Sequence, residues 1–299
     1  MTARAPAMTG ETLPTTPPVA ARGPRLGRFA GNAATYAILI VFLLIFLVPF
    51  VWIWSSAFKT SQEIGRNPFA LPTALRWENL VEAWTVGRFS DYMVNSIIYR
   101  VAIVLGSVAR SCLAGYGLSM LPLPGRDGLM VLFLLGLMAP FQSVMIPLYY
   151  HLQDFRMLET YWAFIVPGIA FRLPFGIFLM RGFFRGLPAE LGDAARTDGA
   201  NEWGGFRQVF LPLSWPGVAT LIVFQFIWTW NQFALPLIFV QRDEPRPVSL
   251  GALFFLGRFT ADRGMIAAGV TISMIPVIIL YLLLQRRFIE GITAGALKT

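Results

Sequence analysis

The chain has 299 residues, of which 56% are hydrophobic and only 13% charged. A soluble domain carries about 25% charge, so this composition, with 26 Phe and a mean hydropathy of +0.61, excludes an ordinary water-soluble globule. The formal net charge of +8 does not point to nucleic acid, because the basic residues are scattered over every connecting segment with no run of five.

Cysteine and histidine are nearly absent. Cys112 stands alone, which excludes an intrachain disulfide. His151 is the single histidine; a zinc site needs three or four protein ligands, and no cluster supplies them. A histidine-based hydrolytic triad would have to recruit His151, which has no nucleophile motif beside it. No metal site and no catalytic constellation are expected.

In chain order, residues 1–33 are rich in Pro, Thr, Ala and Arg, including Pro6, Pro14, Pro17, Pro18 and Pro24. This segment reads as a disordered tail. It is too long and Pro-rich for a signal peptide, so the apolar run behind it reads as a retained anchor. Six continuous apolar runs follow, at about 35–58, 93–118, 128–149, 160–181, 216–240 and 264–285. Each is long enough to cross a bilayer as a helix. Their continuous rather than alternating pattern favours helices over a barrel. The expected fold is all-α, with six transmembrane helices in residues 34–299. Between the first two runs, "NPFALPTALRWENLVEAW" has polar and Trp residues at helical spacing. It reads either as a helix along the membrane surface or as a plain connector.

Orientation from loop Lys and Arg is indecisive. With the N-tail cytoplasmic, the inner segments hold twelve basic residues against nine outside, but the inner segments are also longer. Six spans require only that both termini share one side.

The segment 185–215 is neither a solvated loop nor a core helix. Pro188 suits the opening of a helix, and Leu191, Ala194 and Ala195 share one face. Gly199 interrupts the pattern where a positive φ would turn the chain. Asn201 can cap a second short helix through Phe206, Val209 and Phe210, with Pro212 expected to end it. The product is a helix–turn–helix outside the bilayer.

Here the sequence resembles a known family. Asp193-Ala194-Ala195, three residues, Gly199, nine residues, then Val209-x-Leu211-Pro212 matches the "EAA" loop of ABC importer permeases. "PLYYHLQDFRMLETYWAFIVPGIAFRLPFGIFLMRGFF", "FIWTWNQFALPLIFV" and "ITAGALKT" resemble its carbohydrate-importing, maltose-permease-like branch. The resemblance covers all but the N-tail. It implies that 185–215 is a coupling loop seated on a cytoplasmic ATPase, with Asp193, Ala194, Ala195, Asp198, Gly199, Ala200, Leu211 and Pro212 at that contact. The family usually carries Glu where this chain has Asp193, one methylene shorter. The resemblance also implies a bacterial inner-membrane location with both termini cytoplasmic. The implied partners are a second, different permease subunit, two ATPase copies and an extracytoplasmic solute-binding protein. Membrane lipid and a carbohydrate-like solute complete the set, and no nucleic acid is implied. No cofactor is expected on this chain, ATP and Mg being held by the ATPase subunits.

Two sequence features agree with an engine held elsewhere. A phosphate-binding loop needs G-x-x-x-x-G-K-[ST], and neither Lys59 nor Lys298 has that context. Proton-driven transporters usually carry acids or His inside their spans, and none of the six runs contains one. The rival reading is a self-contained secondary transporter or channel.

Polar residues inside the runs are candidates for the solute path. Arg100 and Arg110 fall in the second run and Arg172 in the fourth. Three readings compete: snorkelling to an interface, favoured for Arg100; pairing with a sister subunit; or lining a watery path, favoured with sister contact for Arg110. In "WTWNQF", Trp228, Trp230, Asn231 and Gln232 either hold a sugar by aromatic faces and amides or pack between helices.

Overall fold

The computed structural model describes residues 25–255 and 262–296. Regular structure among them is helical throughout, with no strand among the described residues. The chain divides into two compact units, 1–50 and 51–299.

Helix α1 (Arg25–Ala57) starts directly after Pro24. The last part of the segment expected as a disordered tail, 25–33, is therefore helical, and residues 1–24 lie outside the described residues. Its stretch Thr35–Ala57 is long and apolar enough to cross a membrane. Tyr36, Leu43, Phe46 and their neighbours are exposed all round it. A helix apolar on every face belongs in an apolar surrounding.

In the larger unit, Thr60 opens α2 (Ser61–Arg66) with a reciprocal cap. Thr60 Oγ1 accepts from the Glu63 N–H at 3.1 Å, and Glu63 Oε2 accepts from the Thr60 N–H at 2.8 Å. Helix α3 (Glu78–Thr85) follows, tied down by Asn79 Nδ2 donating to the carbonyls of Ala57 and Lys59 at 2.9 and 3.0 Å. It buries Ala83 against the last helix and leaves Trp77, Val81 and Trp84 exposed. The 59–92 segment thus carries short helices and is more than a connector.

Helix α4 (Phe89–Met120) is the central long helix. After it come α5 (Arg126–Met138), α6 (Phe141–Asp154), α7 (Trp162–Ala170) and α8 (Leu173–Arg185). The chain continues through α9 (Glu190–Thr197), α10 (Glu202–Gly205), a π-helical turn (Phe206–Phe210) and α11 (Leu211–Leu213). Helices α12 (Trp215–Trp230) and α13 (Ala234–Phe239), a 3-10 helix (Val248–Phe255) and α14 (Arg263–Ala296) complete the described elements.

Two of the apolar runs are bent, and a third bend lies at the entry to the fifth run. The α5–α6 pair turns by 95°, α7–α8 by 43°, and the Glu202–Leu213 segment meets α12 at 76°. The first bend sits at Ala139-Pro140, both extended, because a residue before proline is driven from the helical region. The second has Pro174 in the opening turn of α8 and the third Pro216 in that of α12, where a missing N–H costs nothing. Pro212 does not end its helix, contrary to expectation. It occupies the opening turn of α11, and the chain breaks at Ser214. The fifth run also breaks at Asn231–Phe233 before α13.

The core forms where α4 packs on α8, α7 and α12. Small residues allow the close approach. A Cβ built at Gly176 would fall 2.1 Å from Ser111 Oγ, and one at Gly115 would fall 2.9 Å from Met180 Cβ. The segment 244–248 lies across the first third of α4. Asn95 Nδ2 donates to the carbonyls of Glu244 and Arg246 at 2.6 and 3.0 Å. The Tyr99 hydroxyl donates to Pro245 O at 2.6 Å, and Ser96 Oγ accepts from the Val248 N–H at 2.7 Å.

Candidate functional site

The segment after α8 folds as the residue types dictate. Glu190 and Asp193 occupy the first turn of α9 and Arg196 its last, the arrangement that the helix dipole favours. At its end the N–H groups of Gly199 and Ala200 bond the carbonyls of Arg196 and Ala195, at 3.0 and 2.9 Å. Gly199 takes φ +85°, the left-handed closure of a helix C-terminus that glycine adopts without steric cost. Asn201 then caps α10, its Oδ1 accepting from the Gly204 N–H at 2.8 Å. Both the turn at Gly199 and the cap at Asn201 stand as expected.

Across the turn, Arg196 joins the two helices. Its Nη1 donates to Asp193 Oδ1 at 3.0 Å, while Nη2 and Nε donate to Glu202 Oε1 at 3.1 and 3.2 Å. The Glu202 hydrogen bond, then its charge, raises the Arg196 pKa above its ordinary value. The Tyr116 hydroxyl of α4 lies 3.3 Å from Glu202 Oε2. Its ring packs against Phe206, Phe210 and Phe184, with centroids at 5.2, 5.3 and 5.8 Å. Between the two short helices and the end of α4 is a cavity of about 120 Å³, bordered by Tyr116, Asp193, Arg196 and Glu202.

Of the residues singled out here, Asp193, Ala194, Asp198, Gly199 and Pro212 are exposed, Ala195 is buried, and Ala200 and Leu211 are half-buried. Arg196, Glu202 and Tyr116 were missed. Opposite charges flanking the Gly199 turn signal the Arg196–Glu202 pair, whereas nothing local marks Tyr116.

The intramembrane candidates do not form one cluster. Arg110 is exposed and, among the described residues, bonds only its own helix, Nη1 to Gly106 O at 3.0 Å. Arg172 is buried at the α7–α8 bend, its Nη1 donating to Gly168 O at 2.9 Å. Its neighbour across a cavity is Arg100, not Arg110. Arg100 does not snorkel: it is 2% exposed, donates to Trp230 O at 3.2 Å, and lies 4.7 Å from the Trp230 ring centre. Burial among α4, α12 and α13 leaves it no route to a polar interface. Trp230 is itself buried and donates Nε1–H to Ser273 O at 3.0 Å. Trp228 is exposed on the other side, edge-on to Phe175 at 4.8 Å. Asn231 is exposed at the end of α12, and half-buried Gln232 lines the Arg100–Arg172 cavity. Among the described residues, no group of three or more His, Cys, Asp or Glu converges on a metal-sized site.

This fold, with long apolar helices and a polar helix–turn–helix set between α8 and α12, is that of an integral membrane protein. Residues 102–293 match the family of binding-protein-dependent transport system inner membrane components, and the chain belongs to that family. It is 37% identical to the probable ABC transporter permease protein YurM of Bacillus subtilis (strain 168), over 92% of this chain and 91% of that one. To the diacetylchitobiose uptake system permease protein NgcG of Streptomyces coelicolor it is 34% identical, over 91% and 90%. To the trehalose transport system permease protein SugB of Mycobacterium tuberculosis it is 32% identical, over 84% and 92%. The fold is shared with a bacterial ABC transporter involved in the import of the acidic polysaccharide alginate, at TM-score 0.78 and 23% identity, covering 91% of this chain and 100% of that one. The protein is thus a multi-pass inner-membrane permease component, and its family is one of transport rather than catalysis.

Proposed function

We propose that this chain is one of two different permease subunits of a carbohydrate importer, and that the segment 185–215 couples it to a cytoplasmic ABC ATPase. The observation that carries this is the geometry at Gly199. A left-handed turn, stapled by Arg196 to Glu202, presents Asp193, Ala194 and Asp198 to solvent while Ala195 and Phe210 face inward. A module rigid inside and exposed along one rim suits a docking surface that must pass on a displacement. The Asp193 carboxylate is engaged by Arg196, so docking on an ATPase cation would compete with this internal pair.

In this reading α1, α4, the α5–α6 pair, the α7–α8 pair, α12 with α13, and α14 make six spans, residues 34–299 form the membrane domain, and both termini are cytoplasmic. Residues 1–33 form the cytoplasmic N-terminal segment. Two ATPase copies bind ATP and Mg, and this chain binds no cofactor. An extracytoplasmic binding protein delivers the solute. The sugar assignment is supported by relatives named for diacetylchitobiose and trehalose. A structural neighbour was solved with an alginate pentasaccharide-bound periplasmic protein. Arg110, Trp228 and Asn231, all exposed, are assigned to the solute path or the sister contact. Arg172, Trp230 and Gln232 are assigned to the wall that gives the path its shape.

The test is ATP hydrolysis by the full complex in lipid, with and without solute-loaded binding protein, comparing the native chain with Gly199→Val, whose branched side chain opposes the left-handed turn. Solute-dependent stimulation that the variant loses while the complex still assembles is the expected outcome. Solute uptake by this chain without any ATPase, indifferent to the variant, would refute the proposal.

A further inference from the structure

Two buried arginines face one small cavity with no acid between them. Tyr99, Arg100, Phe164, Arg172, Thr229 and Gln232 are among the residues around a space of about 20 Å³ where α4, α7, α12 and α13 meet. No carboxylate lines it, and the ion pairs among the described residues include neither Arg100 nor Arg172. Each guanidinium has five N–H donors. Arg100 places one bond on Trp230 O and Arg172 one on Gly168 O, and the Nε of each is buried without a partner. The Tyr99 and Thr229 hydroxyls donate to Pro245 O and Gln225 O, both at 2.6 Å, and among the described residues neither oxygen accepts a bond from Arg100 or Arg172. The Trp230 face offsets part of the desolvation of Arg100. It carries no net charge, and no ring lies over Arg172 among the described residues.

Two like charges withdrawn from water and left uncompensated are strongly unfavourable. A single water needs a space of roughly 10–15 Å³, so the cavity admits a body slightly larger than water and excludes a sugar ring. The contents that resolve the charge are therefore small and negative. We infer that the Arg100–Arg172 cavity holds a resident inorganic anion of halide size, bound as a structural counter-ion between α4 and the α7–α8 bend.

The inference is independent of the solute and of the coupling loop. The experiment uses the full complex in lipid nanodiscs, with chloride, bromide and gluconate as sodium salts at equal ionic strength. Thermal unfolding reads occupancy, because a ligand that binds only the folded state stabilises it by mass action. Both halides should raise the melting temperature by about 2–4 °C over gluconate, and crystals of the complex grown in bromide should give an anomalous diffraction peak in the cavity. Arg100→Gln and Arg172→Gln should each abolish the halide increment, whereas Arg76→Gln, exposed and remote in sequence, should keep it. If a glutamine variant fails to fold, the native chain with bromide still decides. Identical melting in all three salts with no bromide peak would overturn the inference. So would protection by a free uronic acid with none by bromide, which would give the cavity to a carboxylate of the solute instead.

Discussion

Arg196 and Glu202 face each other across the Gly199 turn, the guanidinium placing two donors on one carboxylate oxygen at 3.1 and 3.2 Å. Both side chains are about half exposed. An exposed pair adds little to global stability, so its value lies in fixing the angle between α9 and α10. Arg196→Ala and Glu202→Ala should therefore leave the melting temperature of the complex nearly unchanged while each lowers solute-stimulated ATP hydrolysis. The double variant should be no worse than the poorer single one, since both remove the same staple. Additive losses would show that the two residues act separately.

Gly199 is tested by the shape of its replacement. A Cβ there meets nothing within 4 Å, so the constraint is the φ of +85° and not space. A left-handed conformation costs an ordinary L-residue about 1–2 kcal/mol, and Asn tolerates it better. Gly199→Asn should retain most stimulated hydrolysis, Gly199→Ala less and Gly199→Val least. Equal activity of the three would remove the backbone explanation.

The two tryptophans of "WTWNQF" should behave differently. Trp230 is buried against Arg100 and Ser273, so Trp230→Ala should destabilise the chain by about 3–5 kcal/mol, read as a fall in melting temperature and yield. Trp228 is exposed, and Trp228→Ala should change stability far less. A comparable loss for both would mean that Trp228 is covered in the assembled protein.

Close packing between α4 and α8 sets a fourth expectation. Gly176→Val places branches where Ser111 already stands, and overpacking of this kind costs about 1–3 kcal/mol or more. Ser111→Ala introduced with Gly176→Val should recover part of the loss, measured by thermal unfolding in detergent.

Glu63 gives the pH dependence of the α2 cap. Hydrogen bonds from the Thr73 hydroxyl first, then the Thr60 backbone, hold its carboxyl at about 2, below the ordinary 4.5. A depressed folded pKa means the contribution is full above the unfolded value and is lost as pH falls through the folded one. Amide protection in 60–73, measured against the intrinsic exchange rate, should hold from neutral pH down to about 4.5 and fall as the pH drops towards 2. Glu63→Gln should show lower protection above about 4.5, with the difference from the native chain closing towards pH 2.

What the residues determine alone is what depends on near neighbours. The turn at Gly199, the cap at Asn201 and the membrane character of the chain follow from φ preference, side-chain reach and apolar length, all of which act within a few residues. Tertiary structure decided the rest. Arg100 and Arg172 lie far apart in sequence and on different helices, so no spacing reveals that they share a cavity. Tyr116 meets Glu202 only because α4 packs along α8 and brings its last turns to the loop. Burial, and with it the cost of an unpaired charge, is a property of what surrounds a residue, and those surroundings are assembled by the fold.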